Sequence, residues 1–225
     1  MAETLATLRA RAQTLADLTD SSFVTNAEWT MFINDGLRAL YDILVTKHSD
    51  YFESTNSQAI VVDQSDYALP ADFMTLLDVS FIPVGETDFF TVFPFERKHE
   101  NYLARNDIEF ITWDGRTKLY YALRGGNIRL LPAPSGGTLR LRYVPVVTAL
   151  SSDSDTLPQG VFDHWSIYIV WSAVADAMAK QEADVTFAQA KMQEARAHIE
   201  RTAMQRDQHI SQVIADVRSV DWWGL

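Results

Sequence analysis

The chain has 225 residues, 47% of them hydrophobic, and a net charge of −11. That is enough apolar material for one large core or two small ones, which excludes a disordered chain. It has no cysteine, which excludes disulfides, thiolate metal sites and a cysteine nucleophile, and its acidity disfavours wrapping nucleic acid, whose phosphates need Lys and Arg.

The first segment, "MAETLATLRARAQ", lacks the apolar stretch of a signal peptide. Leu5, Leu8, Ala12 and Leu15 recur at 3–4 spacing and predict a helix over about residues 3–18. Asn26 is the expected N-cap of a second helix, whose stripe includes Trp29, Ile33, Leu37, Leu40 and Leu44 and which ends near His48. From Ser57 the period changes to short extended runs: "QAIVVD", "YALP", "FMTLLDVSFIPV", "IEFITW", "KLYYAL", "NIRLLP" and "TLRLRYVP". "WDGRT", "RGGN" and "APSGG" are turn material between them. The stretch "IRLLPAPSGGTLRLRYVP" reads as a β-hairpin, two alternating runs around a Pro/Ser/Gly turn. Residues Gly85–Asp107 fit neither period and read as a long functional loop, with a short helix in its second half.

"SSDSDTLPQG" leads into a third helix from about Val161 to Gln181, apolar almost all round and so expected to be buried on several sides. Its most apolar run, Trp165–Ala175, is eleven residues, about half of the ~20 that span a bilayer. A soluble protein made in a cytoplasm, with no membrane partner, is therefore expected. A fourth helix starts near Asp184 and runs past Arg206, with a stripe rich in small residues (Ala188, Met192, Ala195, Ile199). An amphipathic run then ends in "VDWWGL". The architecture that follows is α+β. Residues 1–50 and 155–225 form a helical bundle with a C-terminal tail, and residues 51–154 form an inserted, mostly antiparallel β module.

No motif for chemistry stands out, and no catalytic, cofactor-binding or metal-ligating residue is assigned. The glycine pairs at 125–126 and 136–137 open no phosphate-binding loop. Glu194 and His198 share a helix face at metal-ligand spacing, and Asp153 and Asp155 stand one residue apart, but solvated and turn roles account for both. Asp63, Asp66 and Asp72 have nothing beside them to suggest acid–base work. Between Asp50 and Asp114 thirteen acids face three bases, an excess of ten negative charges. This is either a solvated surface or a face that must not hold a polyanion. Phe89, Phe90, Phe93 and Phe95 fall within seven residues among turn and charged residues. They predict a surface covered by a partner, against ordinary local packing. Trp222, Trp223 and Leu225 predict an aromatic anchor that docks on a partner or neighbouring subunit, against folding back on their own bundle.

"FVTNAEWTMFINDGLRALYDIL", "YALPADFMTLLDV", "KLYYALRGGNIRLLPAPSGGTLRLRYVP" and "LSSDSDTLPQGVFDHWSIYIVWSAVADA" occur in that order. Together they resemble phage head-to-tail adaptor (connector) proteins, including the tail tubular protein A group, over about Phe23–Ala177. The resemblance implies a helical bundle with an inserted β module. It also implies a virion structural protein, not an enzyme, with no cofactor. Its implied partners are further copies in a twelve-fold ring, the portal protein and the tail nozzle protein, in the virion neck. DNA would pass through the channel at ejection without specific binding. The competing class is a non-catalytic binding module or accessory enzyme of another system, which a monomer with a deep, polar-lined pocket would favour.

Overall fold

The computed structural model describes residues 3–19, 23–47, 49–95 and 119–203. The fold is α+β, as the sequence predicts: among the described residues there are four helices and two four-stranded, mostly antiparallel sheets. The chain divides into a helical unit, Met1–Lys47 with Thr148–Leu225, and a β unit, His48–Val147.

The helical unit contains α1 (Leu5–Leu15), α2 (Asn26–Lys47), α3 (Gln159–Lys180) and α4 (Thr186–Ala203). The expected centre is the observed one. α3 packs against α1, α2 and α4, and Phe162, Trp165, Ile169, Val170, Ala173, Val174 and Ala177 are all buried on it. A helix apolar on most sides needs neighbours on most sides, and α4 supplies the side that α1 and α2 leave open. α2 meets α3 closely at Gly36, where an added Cβ would lie 3.2 Å from the Ile169 carbonyl oxygen and 3.1 Å from Ser172 Cβ. Trp171 is only half-buried, with its ring edge-on to that of Phe187 at 5.7 Å.

Thr25, not Asn26, caps α2. The Glu28 amide donates to Thr25 Oγ1 at 3.3 Å, while the Glu28 carboxylate accepts from the Thr25 amide at 2.8 Å, a reciprocal capping box. The other oxygen of Glu28 accepts from Lys180 Nζ at 2.6 Å, and Lys180 also donates to the Phe23 carbonyl at 2.7 Å. One carboxylate thus joins the start of α2 to the end of α3. The Lys180 and Thr25 hydrogen bonds hold the Glu28 carboxyl down at about 2, from an ordinary 4.5. A folded-state pKa below the unfolded one means that the unfolded chain binds the proton first as pH falls. The clamp's contribution is therefore complete above about pH 4.5 and is lost as pH falls toward about 2. Thermal melts of Glu28→Gln and the wild type across this window are expected to converge on acidification; parallel curves would refute the role.

The β unit begins with a 3-10 turn at Ser49–Phe52. Its strands are β1 (Ser54–Ile60), β2 (Asp66–Ala68), β3 (Phe73–Ile82), β4 (Phe90–Thr91), β5 (Phe93–Pro94), β6 (Tyr120–Arg124), β7 (Asn127–Leu131) and β8 (Gly137–Pro145). The first sheet has the order β1-β8-β3-β4 and the second β2-β7-β6-β5, with β5–β6 the parallel pair. Their inner faces share one core of Ile60, Tyr67, Val79, Val92, Ile128, Leu130, Leu139, Leu141 and Tyr143.

The expected hairpin over Ile128–Pro145 does not form. β7 pairs with β2 and β6, whereas β8 pairs with β1 and β3, so "PAPSG" carries the chain from one sheet to the other. The alternation was sound, since Ile128 and Leu130 face inward, as do Leu139 and Leu141. These two apolar faces meet across the core instead of lying side by side. The real hairpin is β6–β7, where Arg124 opposes Asn127 across Gly125-Gly126 and Gly125 has φ +59, the left-handed conformation that a tight two-residue turn demands.

Candidate partner-binding surface

The four phenylalanines lie where the chain changes sheet. β4 pairs with β3, setting Phe90 opposite Phe81. Val92 then turns into the core, its amide donating to the Val79 carbonyl at 2.9 Å. Past it, the Phe93 amide donates to the Leu119 carbonyl at 3.1 Å and the Phe95 amide to that of Tyr121 at 2.8 Å. The four are therefore divided between two sheets. Phe89 and Phe93 are 45% and 46% exposed, while Phe90 and Phe95 are half-buried. The rings of Phe93 and Phe95 both lie against Tyr120, at 6.4 Å and 6.3 Å. An exposed aromatic ledge results, fixed by backbone pairing. Of the stretch Gly85–Asp107, residues 85–95 are thus turn and short strand, while "FERKHENYLAR" beyond Phe95 and "IEFITW" lie outside the described residues. Trp222, Trp223 and Leu225 lie outside them too.

Beside the ledge is a residue that sequence reasoning did not single out. Arg140 lies over the Phe89 ring, its guanidinium carbon 3.6 Å from the centroid, and its Nε donates to Ser80 Oγ at 3.2 Å. The signal was present in "LRLRY": with Leu139 and Leu141 turned inward, Arg140 and Arg142 must face outward. The two arginines differ in their partners. Arg142 is held by both carboxylate oxygens of Glu53, which pushes its own pKa up and holds the Glu53 carboxyl below its ordinary value. Among the described residues, Arg140 forms no ion pair with an acid.

The expected acidic stretch is partly neutralised by strand pairing. Arg129 on β7 grips Asp66 on β2 through two hydrogen bonds of 2.8 Å and 2.6 Å, which holds the Asp66 carboxyl below its ordinary value. Asp72 accepts from the Tyr143 hydroxyl at 3.0 Å. Asp63 is exposed and has no hydrogen-bond or ion-pair partner among the described residues. The three aspartates hold three separate environments. In the helical unit, Asp155 accepts from the amides of Ser151 and Ser152, both at 2.8 Å, and Asp153 pairs with Arg9 at 2.6 Å. Glu194 pairs with Lys191 at 2.8 Å. No helix among the described residues is long and apolar enough to cross a membrane.

Comparison with known proteins agrees with the resemblance read from the sequence. The family model described as SU10 adaptor protein matches residues 3–216, nearly the whole chain. No curated protein matches it. Its fold, with a β unit set between helices, and its match from end to end place this chain in the SU10 adaptor protein family of structural phage head-tail adaptors.

Proposed function

We propose that the protein is the subunit of a ring, twelve-fold by the resemblance, that joins the portal to the tail nozzle in the virion neck and forms part of the DNA channel. The family match over residues 3–216 carries this reading. The two-unit build supports it, since a ring subunit has to meet copies of itself and also present a rigid surface to different proteins. The aromatic ledge of Phe89, Phe90, Phe93 and Phe95 is the surface offered to a neighbouring copy or to the nozzle. Trp222, Trp223 and Leu225 dock on the portal or an adjacent copy, as tryptophan anchors do at binding hot spots. The acid excess over residues 50–114 gives the channel a negative wall that does not hold passing DNA.

The test is the mass of the purified full chain, alone and after mixing with its portal, followed by addition of the nozzle protein. A closed ring on the portal is expected, and absence of any complex overturns the reading. Deleting residues 221–225 is expected to weaken portal binding with little change in melting temperature. Phe89→Ser combined with Phe90→Ser is expected to leave the helical unit folded and to weaken the contact with a neighbouring copy or with the nozzle.

A further inference from the structure

The β unit carries two small, rigid features of opposite character. One is a knuckle at the far end of β1, Val61-Val62-Asp63. Both valines are strongly exposed, at 57% and 58%. The turn is pinned from beneath by the buried Tyr67, whose hydroxyl donates toward the Val61 and Gln64 carbonyls at 3.1 Å and 2.9 Å and accepts from the Val61 amide at 3.2 Å. Asp63 holds φ +62 at the tip, and its carboxylate meets no partner among the described residues. The other feature is the Arg140–Phe89 stack on the outer face of the first sheet. Phe89 and Ser80 fix its guanidinium, and Nε is the nitrogen engaged by Ser80. Among the described residues its terminal nitrogens form no ion pair, so they can receive a carboxylate from outside.

We propose that the Arg140–Phe89 stack of one copy receives the Val61-Val62-Asp63 knuckle of the next. Asp63 pairs with the Arg140 guanidinium, and the valines cover the exposed Phe89 ring. The contact rests on the ring reading above and names one of its subunit interfaces. A closed ring needs a heterologous contact, in which one chain carries both complementary halves on different surfaces. This β unit has both, apolar to apolar and acid to base. Each half is held in place before binding, which lowers the ordering cost of the contact. A nucleic acid is a poorer occupant. Among the described residues Arg140 is a lone cation without an ion pair, near the Glu53 carboxylate that Arg142 holds, and a polyanion needs several cations in a row.

The experiment is a reciprocal charge exchange in the full chain, with multimer formation read by mass alone and on the portal. Arg140→Asp and Asp63→Arg are each expected to weaken self-association at least about tenfold, the scale of a lost interfacial ion pair. An equimolar mixture of the two variants is expected to reassemble to within about threefold of the wild type. In an alternating ring every contact again joins opposite charges. A variant that had merely lost its fold would not be rescued by mixing. Single variants that assemble like the wild type, or a mixture that stays as weak as its components, overturn the contact while a portal-bound ring leaves the adaptor reading intact. Arg140→Asp that loses nozzle binding with self-association unchanged also overturns it, and assigns the stack to a foreign protein. A wild type that forms no multimer either alone or on the portal overturns the contact and the ring together.

Discussion

Gly137→Ala is expected to destabilise the β unit by about 4 kcal/mol. Gly137 opens β8 with φ +124, a conformation that a side chain adopts only with strain, on the order of 1–3 kcal/mol. The steric cost adds to this. A Cβ built there would lie 2.3 Å from the Ile82 carbonyl oxygen and 2.7 Å from Phe81 Cε2. The oxygen belongs to the backbone of the neighbouring strand, so relief requires β3 and β8 to part at the point where Ile82 opposes Thr138. Overpacking of this kind costs roughly 1–3 kcal/mol. Gly126→Ala is the control, because a Cβ there meets nothing within 4 Å, and a change within about 0.5 kcal/mol is expected. Hydrogen exchange of the β8 amides reads both variants. Unchanged protection in Gly137→Ala would show that the strand pair yields cheaply.

Asn34→Ala is expected to cost about 3 kcal/mol in the helical unit. Asn34 lies on the apolar stripe of α2 and is 7% exposed. Its side-chain amide treats Leu150 as a strand partner would: Oδ1 accepts from the Leu150 amide at 2.8 Å, and Nδ2 donates to the Leu150 carbonyl at 2.9 Å. Nδ2 also reaches the Thr30 carbonyl at 2.9 Å. Leu150 is itself buried, so truncation strands a backbone donor and acceptor away from water, at roughly 1–3 kcal/mol each. Asn34→Asp keeps the acceptor but loses the donor and places a charge in the same pocket, so it is expected to be worse than alanine. Urea unfolding followed by helical circular dichroism measures both. A loss below about 1 kcal/mol for alanine would mean that water reaches the Leu150 backbone.

Asn34 also marks what the sequence could and could not convey. The stripe Trp29, Ile33, Leu37, Leu40 and Leu44 predicted α2 because helical burial is a local, periodic property. A lone asparagine inside that stripe was the available sign of a buried polar tie, but its partner lies 116 residues away. The strands were legible for the same local reason. Their pairing was not: alternation says which side of a strand is apolar, not which sheet it joins. Pro132, Pro134 and Gly136 spell a turn equally well for a hairpin or for a crossing between sheets. Charge suffered similarly. A count along residues 50–114 cannot see that β7 and β8 bring Arg129 and Arg142 to Asp66 and Glu53. At the aromatic ledge, the density of phenylalanine was visible, whereas its division between two sheets depended on Val92 turning inward. The Arg140–Phe89 stack could not be read at all, since its members are 51 residues apart in sequence and meet only because β3 lies between β4 and β8.

The β unit begins and ends on neighbouring strands. Ser54 on β1 opposes Tyr143 on β8, so its two ends are separated by about 5 Å, the spacing of one antiparallel pair. At the other end of the same strands, Ile60, Ile82 and Gly137 come together, and the loops that follow or precede them gather there. Such an insert is a cassette with a fixed plug at one end and loops at the other. Lengthening, trimming or grafting the 61–65, 83–89 and 132–136 loops leaves the plug where it was, because each loop starts and finishes on strands already locked in register. Loops on a rigid frame tolerate such change better than the frame itself. A lineage of adaptors can therefore vary the loop end, with its two complementary halves changing together, while the helices conserve their own packing, and a designer can transplant the whole cassette between Lys47 and Thr148 as one piece.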